Sequence, residues 1–136
     1  MSQKELQEKV MAYRILESRL DSLAKQREFI LGKILELSST LQSIDEISKA
    51  KESIIFPIGG DAYTFADVAN KNRLIVGIGA GITLEKTAAE GKEILNERKT
   101  QLESAMHEID KAIGEANAAI SELAPEIQGL MATEGG

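Results

Sequence analysis

Two stretches of this 136-residue chain repeat apolar side chains every 3.5 residues, and that repeat leaves few folds open. Stepping alternately by three and four residues from Leu6 through Tyr13, Leu20, Arg27 and Ile34 to Ile44 meets twelve positions, of which ten are apolar. Lys9 and Arg27 are the exceptions. A second run from Ala88 through Leu95, Leu102, Ile109 and Ala116 to Leu130 holds eleven apolar residues in thirteen positions, with Lys92 and Lys99 the exceptions. A spacing of 3.5 held over that length specifies a left-handed coiled coil. At about 1.5 Å per residue each arm is roughly 60–70 Å long. Arms of matching length pair as an antiparallel hairpin, each hiding the other's stripe. The four interrupting cations either snorkel or set the register, as polar seam residues do.

Between the arms the period changes to about 2. "SIIFPIG" (residues 53–59) and "AYTFADV" (62–68) flank a Gly-Gly-Asp turn, and "RLIVGIG" (73–79) and "GITLE" (81–85) flank Ala80. Each pair predicts a β-hairpin, with glycine at the positions that need positive φ. "ANKNR" (69–73) links them. Pro57 lacks an N–H, so its strand is expected at an edge or at a bulge. Short hairpins are marginal alone, and open edges invite pairing with another chain. The middle is therefore expected to drive assembly through Ile54, Phe56, Ile58, Tyr63, Phe65, Leu74, Ile75, Val76, Ile78 and Ile82, with Gly59, Gly60, Gly79 and Gly81 as turn glycines. The fold class is α+β: residues 1–50 and 87–132 as coiled-coil helices around hairpins at 53–85, in one domain of 1–136.

Composition agrees. Apolar residues make up 43% of the chain but aromatics only 4%, which favours helix-on-helix packing over a compact aromatic core. There is no Cys, so disulfides, thiolate metal sites and Cys nucleophiles are absent together, as suits a reducing cytoplasm. The net charge of −6 comes from residues 87–136, which carry four basic and ten acidic side chains. No basic face for nucleic acid is visible. Neither a membrane-spanning run nor a secretory leader is expected.

"VGIGAG" tempts a dinucleotide reading. That fingerprint needs G-x-G-x-x-G ahead of a helix. Here Gly77-Ile78-Gly79-Ala80-Gly81 is G-x-G-x-G, and a β-branched, alternating run follows. A nucleotide-dependent enzyme is the losing alternative, and no cofactor is expected. His107, the only histidine, has just Glu103 and Asp110 nearby on its helix, too few for a transition metal. Ser38-Ser39-Thr40 has no base poised beside it, and a two-helix coil offers Asp45-Glu46 no pocket for acid–base work. The chain is not expected to be an enzyme.

Taken together, long helix, "IIFPIGGDAYTFADV", polar linker, "LIVGIGAGITLEK" and long helix resemble the alpha subunit of archaeal prefoldin over nearly the full length. "ELAPE" is similar to that family's "LSP" stretch, with Ala124 in place of Ser. Two hairpins point to the alpha class. The resemblance implies a hexamer of two alpha and four beta subunits joined through a β-barrel platform. It implies an ATP-independent co-chaperone (a holdase) whose coiled-coil tips hold unfolded client proteins for a group II chaperonin. The sequence adds a candidate client surface at the tips. Val10 and Met11 lie off the register beside Leu6 and Tyr13. Leu123, Ile127, Leu130 and Met131 crowd the other end, next to Pro125, which is expected to break or kink its helix. Flexible Met suits a surface that fits many sequences. The alternative is a structural scaffold that assembles through its hairpins with one fixed partner.

Overall fold

The computed structural model describes residues 2–134, with side chains from 3 to 133. Its elements run α1 (Ser2–Lys49), β1 (Ile54–Gly59), β2 (Ala62–Ala66), β3 (Arg73–Gly79), β4 (Ile82–Thr87) and α2 (Ala88–Glu134). All twelve seam positions of α1 and all thirteen of α2 are half-buried or buried, so the 3.5-residue period expected from the sequence is the period that packs. Two compact units divide the chain: a terminal unit of residues 1–32 with 103–136, and a hairpin unit of residues 33–102.

In the terminal unit two ion pairs cross from α1 to α2, Lys9 with Glu126 and Arg27 with Asp110, the second at 2.7 Å. The numbers in these pairs sum to 135 and 137, as antiparallel helices in a fixed register require. Two of the cations that interrupt the stripes therefore find a carboxylate on the opposite helix. Pro125 breaks nothing: α2 continues through it to Glu134. The missing N–H and ring clash cost about 3 kcal/mol in an isolated helix. Here the half-buried seam residues Leu123 and Ile127 flank the proline, and Glu126 is held by Lys9. Packing across the seam keeps the helix whole.

In the hairpin unit Ile44, Ala88 and Leu95 form a small buried cluster, with Leu37, Leu41 and Leu74 packed against it. Lys92 Nζ donates to Asp45 Oδ1 at 2.5 Å, again from α2 to α1. Leu74 of β3 lies directly over Gly91 of α2, where a Cβ would meet its Cδ1 at 2.6 Å. Arg98 Nη2 donates to the Gly77 carbonyl at 2.5 Å, so the second hairpin is tied to α2 at both ends of β3.

The strands form two separate two-stranded antiparallel sheets, β1–β2 and β3–β4, and no closed barrel exists among the described residues. The register of β1 slips between Pro57 and Gly59, immediately after the residue that cannot donate. β2 stops at Ala66 rather than Val68, because Asp67 leaves the ladder to accept the Ser53 hydroxyl at 2.7 Å. β4 runs on to Thr87, two residues past Glu85, because Arg73 pairs with Thr87 and Leu74 with Lys86.

Both turns follow one plan. Gly59 and Gly79 have φ of 108° and 111°, and each precedes two further left-handed residues, Gly60 and Asp61 or Ala80 and Gly81. That pattern is a two-residue primed turn, whose twist matches the strands. Ala80, at φ 53°, has no glycine freedom. Left-handed strain of about 1–2 kcal/mol exceeds the unfolded-chain entropy that an alanine saves, about 0.4–1 kcal/mol. Ala80→Gly is thus expected to stabilise the hairpin unit by about 0.5–1 kcal/mol, read as a shift of the urea midpoint at constant slope.

Thr87 also caps α2. Its Oγ1 accepts the Glu90 N–H at 3.1 Å, and Glu90 Oε1 accepts the Thr87 N–H at 3.1 Å. This reciprocal pair satisfies two donors that a helix start would leave open. The hydrogen bond from the Thr87 backbone N–H, and then one from its side-chain hydroxyl, hold the Glu90 carboxyl below the usual carboxylate range. The hydrogen bond from Lys92 does the same for Asp45. Both folded values are depressed, so the stabilisation is present above the ordinary carboxylate range and disappears as pH falls through the lowered values. Thr87→Ala is expected to cost about 1 kcal/mol at neutral pH and to flatten the acid limb of a thermal-stability profile. The Thr87 backbone N–H survives in the alanine, so the variant removes only the hydroxyl's share of the Glu90 shift, and an unchanged acid limb would show that this share is negligible.

Candidate functional site

A two-helix coil buries one stripe per helix and leaves the rest wet, so a binding surface must come from apolar residues outside the seam. Among the described residues each unit has such a place, and Phe29 and Leu35 are further exposed apolar residues outside the seam.

In the terminal unit a groove of about 380 Å³ is lined by Val10, Tyr13, Arg14, Glu17, Ala124, Ile127 and Gln128. A second, of about 420 Å³, shares Val10 and Arg14 and adds Leu6, Gln7 and Met11. The reason is local. Leu6 and Tyr13 take the seam positions, and Val10 falls one residue after the seam residue Lys9. Because Lys9 turns to Glu126, the apolar stripe broadens toward Val10. That hydrogen bond holds the Lys9 ammonium above its ordinary value. Leu123 and Leu130 are half-buried in the seam. Leu130 also lines a third, more polar groove with Glu5, Lys9, Glu126, Gly129 and Thr133. Met11 and Met131 stand outside it, 59% and 58% exposed. Reading the sequence alone missed Ile15, which is 61% exposed one turn beyond Met11. Its signal was the i,i+4 spacing from Met11 off the seam.

In the hairpin unit the ladders sort the side chains by face. Ile55 pairs with Phe65 and Pro57 with Tyr63, so these four share one face of the first hairpin. All four are exposed, Phe65 to 78%. Ile54 and Phe56 lie on the other face with Ala66 and Thr64, and are half-buried. On the second hairpin Leu74 is half-buried and Val76 buried, while Ile75 is 75% exposed on the opposite face beside the Arg73–Glu85 ion pair. Ile58 and Ile78 fall where the two registers slip, and Ile82 pairs with Gly79; all three are exposed. Ile55 and Leu84 belong with the exposed set and were not singled out from the sequence. Two-residue alternation says that faces differ. It does not say which one docks on the helices.

Gly81 leads into β4 and not into a helix, so the glycines of "VGIGAG" shape a hairpin end and do not open a helix N-terminus toward a phosphate. No cluster of potential metal ligands and no membrane-length apolar helix occurs among the described residues.

Comparison with known proteins joins these features. The sequence profile of the family described as Prefoldin subunit matches residues 3–132. The prefoldin subunit alpha of Methanosarcina acetivorans is 31% identical over 122 residues, covering 86% of this chain and 81% of the relative. That of Pyrococcus horikoshii is 26% identical over 128 residues, covering 92% and 86%. Among solved structures, a chain in the cryo-EM structure of filamentous PFD from Methanocaldococcus jannaschii superposes with a TM-score of 0.74 at 20% identity. That match covers 85% of this chain and 98% of the other.

Proposed function

The chain belongs to the prefoldin family, and on that premise we propose that it is the alpha-class subunit of an ATP-independent co-chaperone working in the cytoplasm. Its exposed hairpin faces join beta-class subunits, two alpha to four beta. The grooves of its terminal unit hold non-native polypeptide segments and release them to a group II chaperonin. No catalytic residue and no cofactor takes part.

The observation that supports this reading best is the pair of apolar grooves around Val10, next to an exposed Met11. Grooves of this kind fit single apolar side chains of many sequences, and methionine adapts to each. Binding so spread out is weak per site. Several subunits acting together make up the difference by avidity.

The test is light scattering of a denatured, aggregation-prone protein diluted into the complex of this chain with a beta-class partner. A second complex carries a chain lacking residues 1–10 and 124–136. The intact complex is expected to suppress aggregation without ATP, and the trimmed one to assemble but not suppress. Equal suppression by both would move client binding to the partner subunits. Assembly with no suppression by either would leave a structural scaffold.

A further inference from the structure

We propose that Met11 and Met131 are an oxidation site through which a peroxide switches off capture by the terminal unit; this rests on the capturing role assigned to that unit above. The chain has four methionines and no cysteine, so thioethers are its only sulfur. Among the described methionines their accessibility differs sharply. Met11 and Met131 are more than half exposed, whereas Met106 is a half-buried seam residue. Two-electron oxidants modify sulfur according to access. The exposed pair is therefore oxidised first, and the coil's seam is spared.

The chemistry is an oxygen-atom transfer. A lone pair on the thioether sulfur attacks one oxygen of hydrogen peroxide, the O–O bond breaks, and the second oxygen leaves as water. Sulfur loses two electrons and peroxide gains them. In reverse, two thiols of a reductase supply two electrons, become a disulfide, and carry the oxygen away as water. The product at Met11 and Met131 is a sulfoxide, a strong hydrogen-bond acceptor where an apolar, pliable chain stood.

The consequence follows from position. Met11 lines the groove that also holds Leu6 and Val10. A sulfoxide there keeps its water, and an apolar client segment entering the groove must strip it away. Met131 follows the seam residue Leu130, so the second sulfoxide sits outside the packed stripe. Neither change disturbs a seam contact, so the helices stay paired while the surface loses its affinity. The effect is confined to the surface, whereas a sulfoxide at a seam methionine would disturb the packing of the coil.

The experiment treats the complete complex with hydrogen peroxide and reads two quantities. Peptide mass spectrometry follows oxygen incorporation at Met11, Met106 and Met131, and light scattering follows suppression of aggregation. Oxygen is expected at Met11 and Met131 several times faster than at Met106. Suppression is expected to weaken by about tenfold to a hundredfold, the range that burying one methionine side chain is worth. A complex carrying Met11→Leu with Met131→Leu has no sulfur at these positions; it is compared only with itself, and whatever its untreated level, its suppression is expected to change by less than about twofold on the same treatment. Equal oxidation of Met106, or unchanged suppression by a wild-type complex oxidised at both sites, overturns the proposal. So does equal loss in the double variant. An untreated complex that suppresses nothing overturns the capture reading and the control exerted through it, while the oxygen map separately decides whether the site is selective.

Discussion

Phe65→Asp is expected to leave the helices folded and to abolish assembly with the beta-class partner. Phe65 is 78% exposed opposite Ile55, so aspartate there removes little from the isolated chain. At an interface the arithmetic reverses. Burying a phenylalanine contributes about 1.5–3 kcal/mol, and an unpaired carboxylate held among Ile55, Pro57 and Tyr63 adds a desolvation penalty of similar or greater size. The dissociation constant is expected to rise by about a hundredfold or more. Size-exclusion chromatography with light scattering reads the assembly, and circular dichroism confirms the helices. Full assembly of the variant would mean that this face of the first hairpin is not where partners meet.

Leu95→Ala carries the second large effect, this time on stability. Leu95, Ile44 and Ala88 make the buried cluster of the hairpin unit, and no side chain among the described residues is completely shielded from solvent. A core this thin has few neighbours that can close a gap. The loss is expected at about 3 kcal/mol, a large part of the stability of a small domain. Leu35→Ala is the internal comparison. Leu35 is in the same unit but 60% exposed, and its truncation is expected within about 0.5 kcal/mol of wild type. Urea unfolding followed at 222 nm ( about linear in denaturant) distinguishes them, and comparable losses at both positions would remove the cluster from its central place.

The long helices and the two hairpins were legible because each has a period that repeats. Twelve and thirteen successive seam positions cannot arise from accident, and Gly59, Gly60, Gly79 and Gly81 mark turns that other residues would strain. What was not legible depends on neighbours distant in sequence. Pro125 suggests a helix end when only its own backbone is considered, yet the Lys9–Glu126 pair and the seam carry the helix past it. Ile54 and Ile55 are equivalent on paper, and only docking of a hairpin on its support separates them. The same holds for Leu74, whose inward face is set by the absence of a side chain at Gly91. One feature was available and passed over: Thr87-Ala88-Ala89-Glu90 is a capping box, and it dates the start of α2 to the residue.

The ion pairs that cross the terminal unit constrain how such a chain can change length over evolution. Lys9 answers Glu126 and Arg27 answers Asp110, so residues inserted between Lys9 and Arg27 shift every later partner unless α2 gains a matching insertion between Asp110 and Glu126. A single-sided insertion leaves one pair in register and strands the other cation against an apolar stripe. Paired insertions of seven residues preserve both the seam and the charge partners. Descendants of this chain with longer or shorter arms should therefore differ by mirrored blocks, one on each helix, and an engineer who wants to vary reach must edit both helices of the chain at once.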